Sequence, residues 1–334
     1  SWCEWFNTSV SCEEVDPLRF PSPTPAFANV GANGTVFPPA NDTRLRQLAT
    51  GRPDYAAALA LSVSFFRAQR LGALPNASRE PWQHDAYTAD GEAVGVDLSG
   101  GYADAGDFVK VTKTIGHSMA LLGWALLEFR QGFEAAGALD EAMAALRWGA
   151  EYLLKCHSAP GVLHAQVGDF IADHARWGPP PLDRPPDGPR AVFTVRLGDA
   201  AADVASEAAA ALAAASVVFG AEGDVSFSDA LLGGARGVFE IVEANTNPTS
   251  ALNPDRLPDM FPQCEGGEGA SDGSVRGAEC FYATHASDAV DKITWATAWL
   301  AIAEARNATD VHEERRAAAV ALEARAAAAL SSHL

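Results

Sequence analysis

Asp97 to Lys110 reads D-L-S-G-G-Y-A-D-A-G-D-F-V-K, and it gathers three carboxylates and three glycines with little that helix or strand packing would demand. Gly100-Gly101 lets the backbone turn sharply without a Cβ penalty, and Gly106 can take positive φ. Asp104 and Asp107 are separated only by Ala105-Gly106. Two carboxylates on so short a tether crowd a common space, where they can hold a proton or a water between them. The alternative is a solvated acidic turn, and the flanking sequence has to decide.

The elements around this stretch read as helices. Ala58, Leu61, Phe65 and Phe66 fall near helical spacing over 54–71, and Gly72 stops the run. Ile115, Met119, Leu122 and Leu126 form a stripe over about 112–130, and Leu139, Met143, Leu146 and Leu153 another over 139–156. Further helices are predicted at about 200–219, 226–244, 289–305 and 311–330. The first of these is so rich in alanine that it must pack closely against its neighbours. Residues 157–199 and 245–287 read as long irregular loops, and no strand pattern stands out. The chain is therefore expected to be all-α, with long loops at one end of a helical array carrying the site. Residues 1–52, rich in Pro, Asn and Gly, read as an N-terminal segment or linker, and 53–334 as the folded domain.

Composition narrows the function. The chain has 334 residues, 48% hydrophobic, enough for a large core. Its 24 Lys and Arg against 43 Asp and Glu give a formal charge of −19, which argues against nucleic acid as a partner. No run reads as a membrane span, and a monomer is expected. The start at Ser1 implies a mature, trimmed or partial chain, and the stop at Leu334, close behind a helical pattern, looks like a cut. Of five cysteines, Cys156 reads as a buried thiol, while Cys3–Cys12 and Cys264–Cys280 could each close a short loop. Sequons at Asn7, Asn33, Asn41, Asn76 and Asn307 favour a secreted, extracellular protein.

Six ordered segments resemble glycoside hydrolase family 9, the inverting endoglucanases. They are F-F-R-A-Q-R-L-G-A-L-P from Phe65, V-D-L-S-G-G-Y-A-D-A-G-D from Val96, L-R-W-G-A-E-Y-L-L-K-C-H from Leu146, Q-V-G-D-F-I-A-D-H-A-R-W-G-P from Gln166, D-V-A-S-E-A-A-A-A-L-A-A-A-S-V-V-F from Asp203, and D-K-I-T-W-A-T-A-W-L from Asp291. The resemblance implies an (α/α)6 barrel of alternating inner and outer helices. Seven predicted helices would supply little more than half of it. It also implies Asp107 as the general base that deprotonates the attacking water, with Asp104 positioning that water. An inverting glycosidase sets its acid and base about 6.5–9.5 Å apart across the bond, too far for residues three apart on one loop. By the same resemblance His174, Trp177 and Tyr102 bind sugar, and the catalytic acid, a glutamate, lies beyond Leu334. Trp82 is assigned to packing, as are Trp124, Trp148, Trp295 and Trp299.

The implied activity is cleavage of internal β-1,4-glucosidic bonds in cellulose or a related β-glucan, with this chain inactive alone for want of its acid. The alternative is a non-catalytic or vestigial carbohydrate-binding protein of the same fold. Departures motivate it: Phe108 stands where the family has a histidine, and Ala286 where it has a stacking aromatic. No cofactor is implied. The family's calcium pattern, S-G-x-x-D-E, leaves Ser287 and Asp291 as ligand candidates but puts Lys292 where an acidic ligand would sit, which disfavours the ion.

Overall fold

A computed structural model describes residues 54–76, 79–175, 178, 188–199, 201–245, 289–307, 320, 321 and 324. The predicted 1–52 segment, both cysteine loops, Trp177, Ser287, Ala286 and nearly all of the 311–330 helix lie outside that set. The helices are α1 (Tyr55–Ala68), α2 (Thr112–Glu128), α3 (Arg130–Ala135), α4 (Leu139–Cys156), α5 (Phe170–His174), α6 (Ala202–Ala221), α7 (Val225–Asn245) and α8 (Val290–Asn307).

Helix α6 is the hub, packing against α2, α7 and α8. Contrary to the expectation from apolar runs, it is long and apolar enough to cross a membrane, yet its residues are almost all buried in the protein. The physical reason for its composition is close approach. Ala208 through Ala211 and Ala213 through Ala215 have no exposed surface. A Cβ on Gly116 of α2 would stand 2.7 Å from the Glu207 carbonyl carbon. Small residues on both helices let the backbones meet where larger ones would clash. Helices α2, α6 and α8 thus form an inner layer, with α4 and α7 packed outside them, the alternation expected of the barrel.

The predicted stripes on α2 and α4 are buried at Ile115, Met119, Leu126, Leu146 and Leu153. The α1 stripe is not. Ala57 and Val63 face inward, while Phe65 is 63% exposed. Among the described elements α1 makes its main contacts with α3 and α4, which leaves much of its circumference facing away from the core. The predicted 112–130 helix breaks at Phe129, whose φ of −119° and ψ of 24° separate α2 from α3.

The absence of strands is the main correction. An antiparallel sheet, order β1-β2-β3, joins Lys110–Val111, Val162–Val167 and Val192–Arg196. Strand β2, V-L-H-A-Q-V, shows no alternation because every residue after Val162 is buried on both faces. Strand β1 is too short to carry a period. It nevertheless matters, for it pins the end of the acidic loop to the sheet through Lys110 opposite Val167.

Candidate active site

The acidic loop follows a short 3-10 turn at Glu92–Val94 and leads through β1 into α2, and its bends are fixed by contacts. Asp97 opens it as an Asx turn, accepting from the Ser99 amide at 2.9 Å and from Ser99 Oγ at 2.6 Å, with Lys155 Nζ 2.9 Å from its other oxygen. Burial works against the charge on Asp97, but the bonds from Ser99 and Lys155 outweigh it and hold the carboxyl below its usual range. Gly100 and Gly101 have φ of 94° and 73°, as the sequence requires, whereas Gly106 does not enter the left-handed region. Gly101 is doubly constrained: its carbonyl accepts from Leu71 N at 3.0 Å and Trp148 Nε1 at 3.1 Å, and an added Cβ would lie 2.6 Å from Tyr152 Cγ. Gly101→Ala is expected to destabilise the protein by about 1–3 kcal/mol from backbone strain plus overpacking, read as a fall in urea midpoint.

Past the glycines the loop folds back on itself. The Asp104 amide donates to the Val109 carbonyl at 2.8 Å, and the Asp107 carboxylate accepts from the Val109 amide at 3.2 Å. Thr114, in the first turn of α2, donates its hydroxyl to Asp104 Oδ1 at 2.8 Å. Neighbouring chain segments hold the same stretch from outside. Asp173 of α5 accepts the Phe108 amide at 3.1 Å, and Arg190 donates to the Phe108 carbonyl at 2.7 Å.

Beneath the loop lies a buried charge group. Lys110 has no exposed surface, and its ammonium donates to the carbonyls of Leu98 at 2.5 Å and Gly100 at 3.1 Å. It also pairs with Asp90 at 2.7 Å and sits 4.6 Å over the Tyr152 ring. Arg190 approaches Asp90 at 3.4 Å and lies 4.0 Å over the Tyr87 ring. Burial pushes the Lys110 ammonium down to about 8 even though Asp90 opposes the shift. Sequence reasoning missed this group, because Asp90, Lys110 and Arg190 come from separate segments and no short motif joins them.

Asp107 opens onto a cleft of about 320 Å³ whose walls include Trp82, His84, Leu74 and Phe108. Leu71, Ala86 and Tyr87 form a small apolar cluster behind it, with Phe108 and Ala103 packed against them. Trp82, assigned from sequence to packing, is 62% exposed and stands on the cleft wall. Tyr102 is the reverse correction. It is buried, its hydroxyl donates to the Ala145 carbonyl at 3.0 Å, and its ring meets Phe66 edge-on at 5.9 Å, so it packs the core and cannot touch a sugar. Burial raises its phenol well above the usual range. His174 closes α5, one residue after the Asp173 that holds Phe108, while Trp177 lies outside the described residues. Trp124, read as core, is 46% exposed beside Trp295 at 5.6 Å.

This arrangement offers a half-buried carboxylate at a cleft wall, a second carboxylate tied to a threonine, and an exposed indole nearby. A carboxylate so placed can take a proton from a water, and an indole face suits the C–H face of a pyranose.

Comparison with known proteins agrees with the motifs. The family model described as "Glycosyl hydrolase family 9" matches residues 55–331. "Endoglucanase 20" of Oryza sativa subsp. japonica is 37% identical over 252 residues, 75% of this chain and 43% of that protein. "Endoglucanase A" of Bacillus pumilus is 36% identical over 253 residues, 75% of this chain and 34% of that one. Among solved structures, the endoglucanase of the termite Nasutitermes takasagoensis superposes with a TM-score of 0.64 at 34% identity, covering 81% of this chain and 55% of its own. The cellulase Cel9M of C. cellulolyticum, solved in complex with cellobiose, gives 0.62 at 29% identity over 81% and 55%. The chain thus spans about half the length of the relatives it matches, and its inner and outer helices are those of the corresponding part of an (α/α)6 barrel. With the acidic loop, the helical alternation and the family model in agreement over the same residues, the chain belongs to glycosyl hydrolase family 9.

Proposed function

We propose that this chain carries the base side of an inverting endo-β-1,4-glucanase acting on cellulose or a related β-glucan. The observation that carries this reading is the placement of Asp107: a half-buried carboxylate on the wall of an open cleft, its loop held from outside by Asp173 and Arg190 and from within by bonds of Val109 and Lys110. In this reading Asp107 takes a proton from a water as that water attacks the anomeric carbon. Asp104, oriented by Thr114, holds the same water. Among the described residues of the cleft wall Asp107 is the sole carboxylate, so the acid that protonates the leaving oxygen comes from elsewhere, about 6.5–9.5 Å away.

Trp82 supplies a sugar-stacking surface. Trp82→Ala is expected to raise KM on cello-oligosaccharides about threefold to tenfold, the worth of one aromatic contact, with kcat nearly unchanged. A fall in kcat alone would remove Trp82 from substrate binding. Secretion is part of the proposal: Asn76, first residue of a sequon, is exposed and open to glycosylation.

The test is release of reducing ends from carboxymethylcellulose by the full-length product of this coding sequence. Turnover supports the enzyme. Saturable binding of cello-oligosaccharide with no turnover supports the second reading, a binding protein of the same fold, for which the replacement of the family's histidine by Phe108 is the specific observation.

A further inference from the structure

The family's calcium pattern, where present, falls at the start of α8, and the described residues there do not fit the ion. Asp291 is the carboxylate that would ligate the ion, and Lys292 engages both of its oxygens. The Lys292 amide donates to Asp291 Oδ1 at 2.8 Å, and Nζ lies 2.5 Å from Oδ2. Calcium takes six to eight oxygen ligands. Among the described residues, no group of three His, Cys, Asp or Glu side chains is arranged to hold a metal.

What the ammonium does beyond Asp291 is the more informative part. Asp291 is exposed, and an exposed pair of adjacent residues contributes little by itself. Lys292 also reaches inward, to within 4.0 Å of Glu207 Oε1 on α6. The Glu207 side chain is 1% exposed, and among the described residues its Oε2 has no hydrogen-bond partner. His117 of α2 meets the same oxygen, Nδ1 at 3.2 Å, and one turn earlier Asp203 pairs with Lys113 at 2.7 Å. Together these residues line or border a cavity of about 260 Å³ between α2, α6 and α8, walled also by Trp124 and Trp295. A buried carboxylate with an unmet oxygen needs a nearby positive charge. Lys292 is the ammonium that approaches it from α8, and Lys113 of α2 also acts on its charge.

We propose that Lys292 is a tethered cation, its ammonium neutralising Asp291 and Glu207 in place of a divalent ion, so that this chain holds α8 against α6 without calcium.

The experiment is calorimetry on the whole chain, by titration with calcium chloride and by thermal unfolding with calcium or with EGTA. The wild type is expected to give no saturable heat and the same melting temperature in both buffers. Lys292→Glu restores an acidic ligand beside Asp291; it is expected to melt lower than wild type in EGTA and to recover part of the loss in calcium. Lys292→Met is expected to melt lower in both buffers, because it removes the charge without creating a ligand. Calcium-dependent melting of the wild type would overturn the proposal, as would a Lys292→Met variant as stable as the parent. A Lys292→Glu variant that folds but ignores calcium would also count against it, since the lysine would then not be what displaces the ion. The wild-type titration decides the matter even if a variant fails to fold.

Discussion

Asp107→Asn is expected to lower β-glucan hydrolysis by the full-length product about 10²–10⁴-fold, the range that a positioned general base contributes, with the melting temperature unchanged. The geometry separates the two effects. In the folded loop the Asp107 carboxylate accepts from the Val109 amide at 3.2 Å, and an Asn oxygen can accept the same bond. The neighbouring turn, Asp104 amide to Val109 carbonyl, does not involve the side chain at all. An amide cannot take up the proton that the attacking water must lose, so chemistry fails while the fold survives. Asp104→Asn is expected to cost less, because Thr114 can still donate to the amide oxygen and orient it. If Asp107→Asn kept wild-type kcat on carboxymethylcellulose, or if Asp104→Asn were the more damaging of the two, Asp107 would not be the base.

Asp90→Asn is expected to destabilise the fold by about 3–5 kcal/mol, the cost of breaking a buried ion pair by removing one partner. Among the described residues Asp90 is the anion that pairs with both Lys110 and Arg190, and the three side chains are 1%, 0% and 5% exposed. Losing its charge leaves two buried cations facing each other with only carbonyls and rings for company. The damage would reach the active loop, since Lys110 holds the Leu98 and Gly100 carbonyls and Arg190 holds that of Phe108. Asp90→Asn with Lys110→Met should recover part of the loss, because the double variant buries one cation fewer; chemical denaturation of the single and double variants measures the coupling.

The same lysine fixes a pH dependence. Its folded value is lowered to about 8 from an ordinary 10.5. Below about 8 both folded and unfolded chains carry the proton and stability does not change on its account. Between about 8 and 10.5 the unfolded chain holds a proton that the folded chain has released, so this group makes stability rise with pH. The wild type minus Lys110→Met difference in unfolding free energy should therefore grow across that window. A difference that stays flat would mean that Lys110 keeps its ordinary affinity for the proton.

The parts of the structure legible in the sequence are those written locally. Ile115, Met119 and Leu126 announce the buried face of α2 by spacing alone, and the alanine run of α6 announces a helix crowded on every side. The Gly100-Gly101 turn is readable because two adjacent residues both adopt positive φ. The α1 face is not, because which side of a helix is covered depends on neighbours that come later in the chain. Strand β2 is hidden by burial of both faces, which erases the alternation a half-buried strand shows. Tyr102 is buried and Trp82 exposed, the reverse of the expectation, for a related reason. An aromatic next to an acidic loop can pack or bind, and only the backbone path decides. The Asp90–Lys110–Arg190 group draws on three distant points of the chain and exists only once β1 has paired with β2.

In the proposed mechanism Asp107 activates a water for direct attack on the anomeric carbon. This step is tested most directly by the anomeric form of the first product. Proton NMR of cellopentaose cleaved by the full-length product should show the α-anomer of the newly formed reducing end first, with the β-anomer growing in by mutarotation. Initial appearance of the β-anomer would mean a covalent, retaining route and would contradict the role assigned to Asp107.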